Sequence, residues 1–196
     1  MSVTSANRYL SRKEMEGNAL YIASALREYG FTDQSISALL GNMESESGIN
    51  PGIYESLDDS SDTNGFGLVQ WTPNTKYKTW ADEYGYSYGD IDGQLHRIQY
   101  ELENGLQWIP TDTYPLSFTV FKYSKQSPEY LAQAFLYNYE RPKSLDQPNR
   151  SVQARAWYDF ITGNEPGTDD PPPIEPIKNK PMSKLLFYYA GMKGRI

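Results

Sequence analysis

Apolar residues recur at helical spacing along most of residues 11–161. Ser11-Arg12-Lys13-Glu14 has the form of a capping box, and Met15, Ala19, Ile22, Ala23 and Leu26 follow it on one helical face. Gly30 predicts the C-terminal stop of that helix. Thr32 is placed to cap a second helix, whose apolar stripe is Ile36, Leu39, Leu40 and Met43. This helix ends near Glu46-Ser47, because Gly48, Asn50, Pro51 and Gly52 all oppose its continuation. Further helices are predicted near 76–84, 91–103, 115–122, 128–139 and 150–161. Between the second and third, residues 53–71 hold only short apolar pieces, and 58–65 are almost wholly turn-forming. That stretch predicts a small irregular β-hairpin or extended loop beside the second helix. The fold class is therefore α+β and mainly α-helical, in one domain over residues 8–161.

The composition shifts after that domain. Residues 162–181 are polar and rich in Pro and Gly, which predicts a semi-rigid linker. Residues 182–196 form a short apolar-basic tail, with Leu185, Leu186 and Phe187 ahead of Lys193 and Arg195. The tail is too short to span a membrane, and no run in the chain approaches the roughly 20 apolar residues that a span needs. The first residues lack the apolar core of a secretory leader, so delivery by another route, such as a virus particle, is expected.

Charge and residue types narrow the chemistry. A net charge of −7 without a dense Lys/Arg stripe excludes phosphate-backbone binding, so nucleic acid is not an expected partner. The chain has no cysteine, which removes thiol nucleophiles, disulfides and Cys-based zinc sites together. Its single histidine, His96, rules out a His-rich metal centre; Leu95 and Ile98 beside it read as a buried helix face, so a packing or surface role is expected. No metal or cofactor is expected. Carboxylates remain as the acid-base groups. Aromatic residues make up 14% of the chain, with 17 Tyr and 4 Trp, and flat rings with polar edges suit the faces of sugars.

Glu46 stands at the edge of the second helix's apolar stripe, where a carboxyl is partly desolvated and its protonated form is favoured. Glu44 lies nearly as close to the other edge, and periodicity does not choose between the two. Glu46-Ser47-Gly48-Ile49-Asn50-Pro51, followed by Gly67-Leu68-Val69-Gln70-Trp71, resembles the Glu-Ser motif and Gly-Leu-Met-Gln turn of the lysozyme and lytic transglycosylase superfamily. The stretch from Gly41 to Pro73 is most similar to the phage tail lysozymes, wall-degrading domains at the tail tips of small phages of Gram-positive bacteria. Phe135 to Pro142 also resembles that family's late Tyr-Glu-Arg-Pro element.

The resemblance implies a lysozyme-like fold over residues 8–161, with the small hairpin beside the catalytic helix. It selects Glu46 as general acid and places Ser47, Gly67, Gln70 and Trp71 on one wall of a substrate cleft. It places Tyr137, Tyr139 and Glu140 on the other wall, although Glu140 reads equally as a structural partner of Arg141. A second catalytic carboxylate, where one is used, falls among Asp58, Asp59 and Asp62, with Asp58 first; Asp is also common in turns for backbone reasons. The implied activity is cleavage of the β-1,4 bond between N-acetylmuramic acid and N-acetylglucosamine in peptidoglycan strands, by a virion protein at the tail tip acting on the extracellular host wall. Its expected partners are peptidoglycan glycan strands and other tail proteins. Alternatives are a lytic transglycosylase forming 1,6-anhydro ends and a glycan-binding structural tail module without turnover. Some family members continue into a zinc endopeptidase domain, an activity that one histidine does not provide here.

Overall fold

The structure, a computed structural model, describes residues 3–164 of the chain. The expected tail at 182–196, and all of the expected linker beyond residue 164, lie outside the described residues. Seven α-helices carry the described part: α1 (Arg12–Glu28), α2 (Asp33–Ser47), α3 (Thr75–Tyr84), α4 (Ile91–Glu103), α5 (Phe118–Lys122), α6 (Pro128–Phe135) and α7 (Asn149–Thr162). Among these residues, no helix is long and apolar enough to cross a membrane.

Local signals account for the first two helices. The Ser11 hydroxyl accepts from the Glu14 amide, and the Glu14 carboxylate accepts from the Ser11 amide at 2.8 Å, so the capping box is closed at both ends. Gly30 lies just past the end of α1 at φ 86°. Thr32 caps α2, and Gly48 ends it in the left-handed conformation at φ 63°. Every residue of α2 from Ser35 to Met43 is buried. A helix buried on all faces is a central element, and α2 packs against α1, α6 and α7.

Gly41 lets α7 cross α2 at backbone contact. A Cβ at Gly41 would lie 2.7 Å from both the Ala154 nitrogen and the Arg150 carbonyl oxygen. Neither is a side chain that can swing away, so α7 itself must shift. Gly41→Ala gains about 1 kcal/mol of helix propensity, but overpacking of this kind costs about 1–3 kcal/mol. A lower urea midpoint is expected, with the slope of the transition unchanged; an unchanged or higher midpoint would show that the crossing has room.

Two expectations need correction. The predicted hairpin is not formed among the described residues, which contain only the isolated bridges Tyr54–Phe66 and Phe66–Trp71. Left-handed residues interrupt any extended run there, with φ 56° at Ser56, 58° at Leu57, 77° at Gly67 and 48° at Gln70. The chain folds instead as an irregular loop pinned by Phe66, whose ring packs 4.6 Å from that of Tyr54. The helix expected at 128–139 leaves α-geometry after Phe135 and closes with a π-turn over Leu136–Glu140.

The α3–α4 side of the domain is an aromatic cluster around Trp80, with Tyr84 at 4.5 Å, His96 at 5.2 Å and Tyr86 at 5.8 Å. His96 is half-buried, and its Nδ1 lies 3.1 Å from the Tyr86 hydroxyl. Burial holds its pKa below the ordinary value, as fits a packing residue.

Candidate active site

The last turns of α2 send alternating polar side chains in different directions. Glu44 accepts from the Trp157 indole at 2.7 Å, and Arg12 reaches it at 3.6 Å while lying 4.1 Å over the Trp157 ring. Glu44 is thereby engaged in holding α1 and α7 against α2. Asn42 and Glu46, four positions apart, share another face. There they meet Arg150 at the start of α7, whose side chain is only 5% exposed.

A buried guanidinium is costly unless its donors are satisfied and its charge is matched. Arg150 donates from Nη2 to Glu46, from Nη1 to the Asn42 side-chain oxygen at 3.0 Å, and from Nε to Gln147 at 2.7 Å. The Glu46 side chain remains 21% exposed. It is therefore a surface carboxylate with a buried cation behind it.

Glu140 brings a second carboxyl to this place. The π-turn adds a residue to one helical turn and ends at Arg141 in the left-handed conformation, φ 48°. Glu140 Oε1 is buried without a hydrogen-bond partner. Burial and the negative charge of Glu46 push the Glu140 carboxyl well above the usual range; Arg150 opposes this, and Glu101 adds to it. No ion pair joins Glu140 to Arg141 among the described residues.

The Glu-Ser and Gly-Leu-Val-Gln-Trp segments are joined through buried hydrogen bonds. The Ser47 hydroxyl lies 3.0 Å from the Met43 carbonyl and 3.1 Å from that of Leu68, and it accepts from the Asn50 amide. Asn50 donates to the carbonyls of Ala6 and Arg8, both at 2.7 Å, which ties the N-terminal segment to the motif. Gly67 sits at φ 77°, a conformation strained for other residues, and a Cβ there would also lie 2.6 Å from Gln94 Oε1. That same oxygen accepts from the Leu68 amide at 2.8 Å. Gln70 directs its amide nitrogen to the Gly67 carbonyl at 3.0 Å. Trp71 is 5% exposed and stacks on Tyr77 at 4.7 Å. The side-chain groups of these residues are largely occupied by contacts within the protein.

Glu101 on α4 fastens the Trp71 turn to the π-turn. It is 5% exposed, accepts from both the Trp71 indole at 3.2 Å and the Tyr139 hydroxyl at 2.6 Å, and pairs with Arg97 at 2.8 Å. Tyr139 is thus fully buried beside Glu140. Tyr137, half-buried against Tyr114, lines a shallow groove of about 370 Å³ with Gln133, Asp146, Gln147 and Ser151. Gln147, which lines this groove, also accepts from Arg150 Nε, so the groove adjoins the guanidinium that Glu46 meets.

Asp58 is exposed, and its carboxylate accepts from the Ser60 amide at 3.0 Å, the Ser60 hydroxyl at 2.6 Å and Asn64 at 3.0 Å. These bonds lower its pKa and stay within its own loop.

Arg150, Glu101 and Gln94 escaped sequence reasoning. Gln94, Ile98 and Glu101 do fall at i, i+4 and i+7, so two polar residues on a buried helical stripe were a readable signal. Arg150 carried none, because Asn42 and Glu46, which it meets on α2, lie more than 100 positions away in the chain.

Residues 17–161 match the sequence profile of the family described as phage tail lysozyme. Morphogenesis protein 1 of Bacillus phage B103 is 47% identical over 159 residues, covering 81% of this chain and 43% of that relative. The chain thus spans about two fifths of the curated relative's length. Because the profile runs through α2, the Trp71 turn, the π-turn and Arg150, the chain belongs to the phage tail lysozyme family.

Proposed function

We propose that this chain cleaves the β-1,4 bond between N-acetylmuramic acid and N-acetylglucosamine in peptidoglycan, with Glu46 as the proton donor. A lysozyme-like fold and a place at the tail tip of a phage particle, beside other tail proteins, belong to the same proposal. The observation that carries it is the placement of Glu46: the carboxylate of the family's Glu-Ser motif stands partly exposed, against a buried Arg150 and close enough to Glu140 for their charges to interact. The family match and the phage relative support the substrate and the setting.

In this reading Glu46 donates a proton to the glycosidic oxygen as the leaving sugar departs, and Arg150 stabilises the carboxylate that results. The substrate's own N-acetyl group assists at the sugar carbon. Glu46 then takes a proton from the attacking water or, in a transglycosylase, from the sugar's own hydroxyl. Ser47, Gly67, Gln70 and Trp71 act by shaping the cleft wall, while Tyr137 and its groove bind glycan beyond the scissile bond. Asp58 has no step.

Digestion of purified Gram-positive peptidoglycan, with mass spectrometry of the fragments, tests the reading. New reducing ends are expected. Ends in 1,6-anhydro sugars would make the enzyme a transglycosylase instead. Glycan that is bound but left intact would overturn the enzymatic reading in favour of a structural tail module.

A further inference from the structure

We propose that Gln147 is a positioning residue that couples glycan in the Tyr137 groove to the Glu46 carboxyl, acting through Arg150. The inference rests on the proposed roles of Glu46 and of that groove, and adds the connection between them. Gln147 lines the groove with Tyr137, Gln133, Asp146 and Ser151. It stands three residues before Arg150, at the entry to α7, and accepts from the Arg150 Nε at 2.7 Å. Arg150 in turn donates to Glu46. A continuous line of hydrogen bonds therefore runs from the groove to the Glu46 carboxylate.

The orientation of the Gln147 amide is fixed by its partners. A guanidinium has donors only, so the atom that faces Arg150 is the amide oxygen. The amide nitrogen points to the Ser144 carbonyl, 2.8 Å away. That nitrogen carries two hydrogens, and the second is left for a ligand in the groove. The surroundings suit a saccharide: the Tyr137 ring, packed 4.9 Å from that of Tyr114, offers a flat apolar surface. Asp146 adds an exposed carboxylate that can accept from sugar hydroxyls. The floor beneath is held across two helices. Gln133 on α6 donates to the Ser151 hydroxyl at 2.9 Å and to the Gln147 carbonyl at 3.3 Å.

Coupling follows from the shape of Arg150. Its donors are divided among Gln147, the Asn42 side chain and Glu46. The guanidinium is planar and rigid, so a change at Nε is felt at the edge that meets Glu46. Asn42 is fully buried, which leaves the half-buried Gln147 as the neutral partner that a ligand can reach. A sugar oxygen that accepts from the Gln147 amide polarises it and strengthens its hold on Arg150. Filling the groove thus steadies the guanidinium, and through it the Glu46 carboxyl beside the scissile bond. A misplacement of about 1 Å in a reacting group costs about 10²-fold in rate, so even partial steadying is measurable.

The test is turnover by the full chain of peptide-free glycan strands of increasing length. In the wild type, kcat is expected to rise roughly tenfold once strands reach the groove as well as Glu46. In Gln147→Ala that rise is expected to vanish, so that long and short strands share one kcat. Tyr137→Ala is expected to raise KM for long strands and to keep the rise in kcat at saturation. A Gln147→Ala chain that loses the same factor at every length has only a structural defect, and the proposal fails. It fails equally if the wild-type kcat does not depend on length.

The Arg150 Nε–H signal in nitrogen-15 NMR, assigned by its loss in Arg150→Lys, gives a reading without turnover. In Glu46→Gln this signal is expected to move when long glycan strands are added, and to stay in place when Gln147→Ala is introduced as well. A signal that long strands leave unmoved in Glu46→Gln would overturn the coupling. Should the wild type cleave no glycan, the proposed function fails, yet the signal still reports whether the groove reaches Arg150.

Discussion

Glu46→Gln is expected to lower peptidoglycan cleavage by about 10²–10⁴-fold, the range that a positioned general acid contributes. The amide keeps the size of the side chain and still offers Arg150 an oxygen, but it removes the counter-charge of a buried guanidinium, so a loss of roughly 1.5–3 kcal/mol is expected. The expected pattern is thus a protein with a lowered melting curve that is still folded at assay temperature and makes almost no product. Two neighbouring changes sharpen the comparison. Glu44→Gln preserves the acceptor for the Trp157 indole, and Asp58→Asn alters an exposed loop carboxylate. Each should leave turnover within about twofold, as surface changes of about 0.5 kcal/mol do. Release of fragments from labelled walls, measured for all three variants at equal concentration, decides the assignment. Near-normal turnover in Glu46→Gln would remove this residue from the chemistry, and a large loss in Asp58→Asn would restore that carboxylate to it.

The largest loss of stability is expected at Glu101. Its carboxylate, 5% exposed, satisfies the Trp71 indole, the Tyr139 hydroxyl and Arg97 at once. Glu101→Ala leaves those donors without their acceptor and Arg97 without its counter-charge. Breaking a buried pair in this way costs about 3–5 kcal/mol, against a total stability of about 5–15 kcal/mol for an ordinary domain. Urea unfolding followed by tryptophan fluorescence should show the midpoint falling by about a fifth or more of its wild-type value. If Glu46 acts as proposed, activity at low temperature should survive better than activity at 37 °C, because the damage is to the link between the Trp71 turn and the π-turn and not to Glu46. A midpoint within experimental error of wild type would mean that water replaces the carboxylate, and that the Trp71 turn and the π-turn do not depend on it.

Much of the fold was legible because its signals are local. Ser11, Glu14, Thr32 and Gly48 cap helices within four residues of the groups that they satisfy, so the bounds of α1 and α2 follow from short strings. The π-turn was not legible, since five residues are too few to separate its period from that of an α-helix. The predicted hairpin failed for a related reason. Turn-forming residues at 58–65 were correctly seen, but the flanking segments are pinned by single bridges and left-handed residues rather than by a ladder. At the candidate site, Glu46 was reached through family resemblance, while periodicity left Glu44 equally eligible. What separates their environments lies far along the chain: Trp157 is 113 positions from Glu44, and Arg150 is 104 from Glu46. Pairings at such distances leave no mark on helical spacing.

The arrival of Arg150 on α7 also sets an order of events during translation. The ribosome releases α2 early, with Glu46 in place and its backbone already capped at Thr32. The guanidinium that answers this carboxylate, and the alanine that seats α7 against Gly41, emerge only after the other six helices. Domains fold largely from the N-terminus as they are made, so the nascent protein passes through a period in which its central helix has emerged but Glu46 lacks its guanidinium partner. If Glu46 acts as proposed, competence for cleavage is expected only once the last described helix docks, and a chain stalled before residue 150 should release no wall fragments.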